Sequence, residues 1–180
     1  MAIGIKQSLT YEEYAAFPSD RNRYELLDGD LLVTPVPTPQ HQRASKRLQR
    51  QLEAYFEEQG LGEMFAAPID VILSNQDVFQ PDLVVARSDR IASRGIEGSP
   101  LLIVEILSSS TRERDRVLKA RRYAQLGVPH YWLIDPDIPR LECFRLESGQ
   151  YVLAVQAEGS ATLEHPDFPS VTIRLAALVR

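Results

Sequence analysis

The feature that most constrains this chain is a charge inside an apolar run. Leu101-Leu102-Ile103-Val104-Glu105-Ile106-Leu107 is continuously apolar except for one glutamate. Such a run, partly β-branched, reads as a central strand covered on both faces. Side chains alternate along a strand, so Glu105 shares a side with Ile103 and Leu107 and cannot simply turn to water. An ionised carboxylate left alone in an apolar interior is very costly, so it must be protonated, paired or bound to a metal. A structural ion pair or a neutral glutamate satisfies that rule, and so does an active site. The run also falls well short of the roughly 20 apolar residues needed to span a bilayer.

The flanking segments say what such a strand packs against. Thr10-Tyr11-Glu12-Glu13 has the form of a capping box opening a short helix that ends before Pro18. Two apolar-rich arms within Arg23–Val33 are joined by Asp28-Gly29, a hairpin signal. Pro35, Pro37 and Pro39 form an extended connector. Thr38 then caps a helix from Pro39 to Gln59, with Ala44, Leu48, Leu52, Tyr55 and Phe56 on one face and Gly60 as its stop. Strands are expected at Glu63–Ala66, Asp70–Leu73, Asp82–Ala86 and Leu101–Leu107, followed by a helix at Arg112–Leu126 that Gly127 ends. A strand at His130–Asp135, a hairpin of Arg140–Leu146 with Tyr151–Gln156, and an edge strand at Val171–Arg174 complete the chain.

One long helix before the strands and another between two of them predict an α/β (α+β) protein, a mixed β-sheet flanked by helices. With 180 residues, no internal repeat and no Gly/Ser linker, a single domain over 1–180 is expected. A hydrophobic content of 44% is too high for a disordered chain. The one cysteine, Cys143, allows neither an internal disulfide nor a thiolate zinc cluster, which fits a reducing, cytoplasmic setting. The first thirty residues include Lys6, Glu12, Glu13 and Asp20 and contain no signal-peptide core.

Glu105 has company. Asp82 follows Pro81 at the start of an apolar strand, and Glu25 lies in the first arm of the Asp-Gly hairpin. Taken singly, turn chemistry explains Asp82, and an exposed strand position explains Glu25. Asp70 and Asp135 flank strands too, a common place for carboxylates. Together, Glu25, Asp82 and Glu105 offer hard oxygen ligands from separate elements, a set suited to Mg²⁺ or Mn²⁺. The helix after Glu105 brings the complementary charge: residues 112–122 hold six bases and two acids. On its wheel, Lys119 shares a face with Arg112, Asp115, Arg116, Arg122 and Tyr123. That face is either a solvated surface with an Asp115–Lys119 pair, or it sets a lysine beside the carboxylates, where it orients water or stabilises charge on phosphate. His41, in the first turn of the long helix, is placed either to touch such a site or to pack. Tyr123, Tyr131 and Trp132 read as core aromatics. Three histidines with no pairing at helical spacing lend little support to a zinc hydrolase.

In order, Tyr24-Glu25-Leu26-Leu27-Asp28-Gly29, Pro81-Asp82, Val104-Glu105-Ile106-Leu107-Ser108, Thr111…Asp115…Lys119 and Gly127-Val128-Pro129-His130-Tyr131-Trp132 resemble the Uma family of restriction-endonuclease-like proteins. The resemblance runs from about Leu9 to Leu178. That family belongs to the PD-(D/E)xK nuclease superfamily, which implies a restriction-endonuclease-like mixed sheet flanked by helices, with the site where the central strands diverge. The resemblance implies catalytic roles for Asp82, Glu105, Lys119 and Glu25. It also implies Mg²⁺ (or Mn²⁺) held by Asp82, Glu105, Glu25 and the backbone carbonyl of Ile106. The superfamily's lysine stands two residues after the second acid, where this chain has Leu107. The family moves that lysine to the following helix, which makes Lys119 its counterpart. Family members commonly carry an acid where this chain has His130 and a proline where it has Ser109.

The function expected on these grounds is a metal-dependent endonuclease hydrolysing DNA phosphodiester bonds. Leu107 motivates an alternative, a nuclease-fold module that binds nucleic acid or assembles without useful catalysis. A hydrolase of small phosphoesters is a third reading. The net charge of −5 conceals a polarised chain. Residues 40–50 and 112–122 each carry +4; together they hold ten of the 20 bases and two of the 25 acids, so the rest carries −13. Local, salt-sensitive DNA binding follows, with His41, Arg43, Arg112, Arg116 and Arg122 as candidate contacts. No membrane partner is expected. A homo-oligomer is, because nucleases of this superfamily often pair sites across a dimer. Loss of Asp82 or Glu105 is expected to abolish cleavage, and Lys119→Ala to cripple it without unfolding the chain.

Overall fold

The computed structural model describes residues 8–17 and 22–179; Lys6, Pro18 and Asp20 lie outside the described residues. Helix α1 (Tyr11–Ala15) begins at the predicted capping box, with the Thr10 N–H donating to Glu13 Oε2 at 2.8 Å. Strands β1 (Arg23–Leu27) and β2 (Asp30–Thr34) form the predicted hairpin. Its turn needs two left-handed residues, and Asp28 and Gly29 supply them at φ 54° and 77°. That turn sets the register, with Arg23 opposite Thr34 and Glu25 opposite Leu32. Helix α2 (Pro39–Glu58) is capped by Thr38, whose Oγ1 accepts the His41 N–H at 3.3 Å. Its residues Ala44, Leu48, Leu52 and Phe56 are fully buried, the face that the four-residue spacing predicts.

Strands β3 (Glu63–Ala66), β4 (Val71–Ser74), β5 (Asp77–Phe79), β6 (Leu83–Ala86), β7 (Ile91–Ala92), β8 (Gly95–Glu97) and β9 (Leu102–Ile106) follow. The chain is helical from 112 to 125, with a π-helical stretch Arg114–Lys119 leading into α3 (Ala120–Gln125). Strands β10 (His130–Asp135), β11 (Arg140–Glu147), β12 (Gln150–Glu158), β13 (Thr162–Glu164), β14 (Thr172–Arg174) and helix α4 (Ala176–Val179) close the chain.

The α+β class stands, but the single predicted mixed sheet is divided. The central sheet has the order β12-β11-β10-β9-β6-β3, a second has β2-β1-β5-β4-β8-β7, and β13-β14 make a separate pair. In the central sheet β9 and β10 run parallel and the other neighbours antiparallel. The strands the sequence did not mark, such as β5, β7 and β8, are two or three residues long, too short for a period-two pattern to register.

Strand β9 is buried along its whole length, as its apolar run requires. Leu102, Val104 and Ile106 enter a core shared with α2, α4 and the β13–β14 pair. Ile103 and Leu107 enter the opposite core, with Val71, Phe79, Tyr123 and Tyr131. Glu105 lies on that second side, where alternation puts it. Tyr123, Tyr131 and Trp132 are wholly buried core aromatics. Among the described residues, no helix is long and apolar enough to cross a membrane.

Candidate active site

Separate elements deliver carboxylates to one end of β9. Strands β6 and β9 pair with Leu83 opposite Val104, and extending that register by one residue sets Asp82 beside Glu105. Asp82 is 5% exposed. Its Oδ2 accepts the Ile106 N–H at 2.8 Å and meets His41 Nε2 at 3.0 Å, while Oδ1 faces Arg23 Nη1 at 3.3 Å. Glu105 Oε1 accepts from Lys119 Nζ at 2.9 Å and from the Tyr123 hydroxyl at 3.0 Å. The same ammonium donates to Glu25 Oε1 at 2.8 Å and lies 3.8 Å from Asp115 Oδ1. Glu25 is saturated further: Oε1 accepts the Gln80 N–H at 2.9 Å and Oε2 the Thr34 hydroxyl at 3.2 Å. Thr34 in turn accepts from Arg114 at 3.0 Å.

Local sequence explains this convergence. The Asp-Gly turn fixes the hairpin register that turns Glu25 inward. The π-helical stretch widens the turn between Asp115 and Lys119, both buried, while Val117 and Leu118 between them are 55% and 52% exposed. Leu107 packs in the core on the same side of β9 as Glu105, and Lys119 reaches the carboxylates from the helix.

The charges do not balance. Burial alone would discharge Lys119, but Glu105, Glu25 and Asp115 outweigh it and hold the ammonium firmly protonated. Burial pushes Glu25 up, yet Lys119 and the Gln80 N–H bring it below the usual carboxylate range. Asp82 is likewise opposed by burial and brought down by His41, Arg23 and the Ile106 N–H. Glu105 goes the other way. Burial, only partly offset by Lys119 and reinforced by Asp115, Asp82 and Glu25, pushes it up to about 8. Asp115 is raised too, chiefly by burial. Glu25, Asp82, Glu105 and Asp115 thus face only three fixed cations, Lys119, Arg23 and Arg114, and Glu105 is the acid whose charged form is least compensated.

The cluster opens on a cavity of about 110 Å³ lined by Asp82, Glu105, Ile106, Lys119, His41, Arg23 and Arg114. A second hollow of about 250 Å³ adjoins it at His41 and Asp82. Of the residues singled out from the sequence, Asp82, Glu105, Ile106, Lys119 and His41 meet at the cavity. Glu25 lies behind Lys119 and does not line it. Arg43 is exposed on α2. Arg112, Arg116 and Arg122 are tied to Asp135, Glu142 and Asp77, respectively. His130 lies elsewhere, 4.7 Å from the ring of Phe168. Sequence reasoning missed Arg23, Thr34 and Arg114. The hairpin register pairs Arg23 with Thr34 and could have flagged both; nothing local marks Arg114.

Comparison with known proteins places the family and the fold. No curated protein matches the chain. A solved structure described as "a putative nuclease belonging to DUF820 from Anabaena variabilis ATCC 29413" superposes with a TM-score of 0.76 at 20% sequence identity, covering 95% of this chain and 97% of that one. At that identity the likeness establishes the fold, a restriction-endonuclease-like arrangement of sheets flanked by helices. Residues 11–176 match the profile of the family Uma2, described as "Putative restriction endonuclease", and the chain belongs to that family.

Proposed function

We propose that the cavity is the active site of a divalent-metal-dependent endonuclease that hydrolyses DNA phosphodiester bonds. The observation that carries this reading is the meeting of Asp82, Glu105 and Lys119, from three separate elements, on one cavity. The donor set is oxygen only, which fits a hard cation, and a bound cation would favour the charged form of Glu105 that burial now opposes. Asp82, Glu105 and the Ile106 carbonyl would hold Mg²⁺ or Mn²⁺. When bound, such an ion polarises the phosphate and lowers the pKa of a coordinated water.

The chain's own residues do the rest. Lys119, kept charged by its acids, aims its ammonium at the attacking water or at a phosphate oxygen. Glu25 has both oxygens engaged, so its part is to position that ammonium rather than to bind metal. Arg23 and Arg114 line the cavity and face the phosphate. His41 and Arg23 both contact Asp82 and must release an oxygen when the cation enters. Outside the cavity, exposed Arg43 on α2 is a candidate contact for backbone phosphate; Arg112, Arg116 and Arg122 reach DNA only by leaving their acid partners. One cavity per chain cuts one strand, so duplex cleavage calls for a homo-oligomer of this 1–180 domain, and the buried free thiol of Cys143 suits the cytoplasm.

The test is cleavage of supercoiled, linear and single-stranded DNA by the full chain with Mg²⁺ or Mn²⁺ over a range of salt. Cleavage that disappears in Asp82→Asn supports the assignment. DNA left intact throughout overturns it, and Mn²⁺ binding by calorimetry without cleavage would select the nucleic-acid-binding module instead.

A further inference from the structure

A second cluster of ligating side chains lies outside the cavity, where the C-terminal segment meets the central sheet. His130 opens β10, His165 follows β13, and Asp167 stands two residues beyond it. One donor atom from each of the three lies within 4.8 Å of the others. His165 is 4% exposed. Each residue also has a buried atom with no hydrogen-bond partner: His130 Nδ1, His165 Nε2 and Asp167 Oδ2. Buried polar atoms are nearly always satisfied, so three orphans of metal-ligating type in one place call for a missing partner.

The surroundings favour a cation of intermediate softness. Trp132 stacks on His165 at 4.9 Å, and Phe168 packs on both imidazoles at 4.7 and 4.9 Å, which makes a dry wall. Arg145 holds Asp167 Oδ1 at 3.0 Å, which leaves Oδ2 as the free oxygen; the same guanidinium is shared with Glu147 at 2.6 Å. Two imidazole nitrogens and one carboxylate oxygen make a donor set for Zn²⁺, not for Mg²⁺. The Asp167 N–H donates to His165 Nδ1 at 3.1 Å, so the ring proton sits on Nε2. Coordination through Nε2 moves that proton to Nδ1 and gives up the amide bond, a loss of one hydrogen bond against one new coordinate bond.

We propose that His130, His165 and Asp167 bind one Zn²⁺ and thereby pin the C-terminal hairpin to the central sheet. Chain segments 35 residues apart are joined. The hairpin also reaches α2, where the Arg174 N–H donates to Gln51 Oε1 at 2.9 Å, and it supplies Leu163, Phe168, Val171 and Ile173 to the core beneath α2. The ion would therefore brace the layer that carries His41. This role is structural and distinct from the zinc hydrolase that the sequence disfavours.

The test uses the full chain carrying Asp82→Asn, so that the nuclease cavity is impaired as a metal site. After chelation, Zn²⁺ is titrated by calorimetry, and Co²⁺ by its visible absorption. One ion per chain is expected, with the intense bands of four-coordinate cobalt, a rise in Tm and no response to Mg²⁺. His165→Ala and, separately, the partly exposed His130→Asn should each weaken binding by about 100-fold or more. The second variant keeps the test valid if the first fails to fold. Absence of Zn²⁺ and Co²⁺ binding, binding that survives both substitutions, or a Zn²⁺-soaked crystal in which only water bridges the three side chains overturns the proposal.

Discussion

Lys119 and Arg122 stand three residues apart on one helical segment, and each is tied to buried carboxylates of the second sheet. Arg122 grips Asp77 with Nε at 2.7 Å and Nη2 at 2.8 Å and also reaches Asp28 at 2.8 Å. Asp77 is wholly buried and further accepts the Ser74 hydroxyl at 2.6 Å and the Asp28 N–H at 3.0 Å. Burial opposes its charge, but these donors outweigh burial and keep the carboxyl below its usual range. Around Lys119 the donors run short, and Glu105 is driven up to about 8. One cluster is closed and satisfied; the other is over-acidic and faces a cavity. Buried charge by itself therefore marks nothing. A buried acid whose charge is under-compensated and that faces a cavity marks a candidate site.

Exchanging the acids of the two clusters gives the largest expected contrast. Asp82→Asn or Glu105→Gln should lower cleavage by about 10³-fold or more, roughly 4 kcal/mol of barrier. Asp77→Asn should leave the cleavage rate within about two-fold, because it touches no reacting group. Rates of plasmid nicking measure both, and equal losses would erase the distinction between the clusters.

Lys119→Ala comes next, and here the structure revises the expectation from sequence. At 2% exposure the ammonium is the shared partner of Glu25 and Glu105, so its removal strands buried carboxylates at a cost of about 3–5 kcal/mol. Stability in urea should fall together with activity. Lys119→Met, which keeps the stem packed, is expected to be inactive as well, and a fully stable Lys119→Ala protein would show that the carboxylates are held some other way.

Asp77→Asn should cost about 2 kcal/mol, since Arg122 is partly exposed and keeps access to water. The folded-state pKa of Asp77 is depressed, so its stabilisation is complete above about pH 4, the unfolded value, and fades as the pH falls through the lower folded value. Denaturation curves of wild type and variant should converge in acid; a gap that persists there would assign the stabilisation to packing.

The smallest effects are expected at the surface. Arg43→Ala should remove at most one phosphate contact and reduce the salt slope of DNA binding by about 1, with Tm unchanged. Arg116→Ala should leave that slope alone, because Glu142 already occupies the guanidinium.

Much of this was legible from local patterns. The Thr10–Glu13 capping box, the Asp28-Gly29 turn, the α2 stripe and the buried β9 all follow from short-range rules, and each stands in the structure. The second sheet was not legible, because two- and three-residue strands such as β7 and β5 owe their existence to their neighbours. Arg114 was not singled out, and the face of the basic helix stayed open between solvent and the carboxylates, because the π-helical stretch shifts the helical phase that a regular wheel assumes. No other histidine lies within 30 residues of His130; His165 reaches it only through the C-terminal fold.

What the sequence determined by itself was a demand: a carboxylate in the middle of a buried strand must be protonated, paired or bound to a metal, and Lys119 was within the chain's means to pair it. Only the tertiary structure decided how the demand is met. It sends Glu25 behind the lysine, closes the Asp77–Arg122 pair and leaves the charge of Glu105 under-compensated. The physical reason is that local sequence sets which groups are buried, whereas the balance among buried charges depends on distances between elements far apart in the chain.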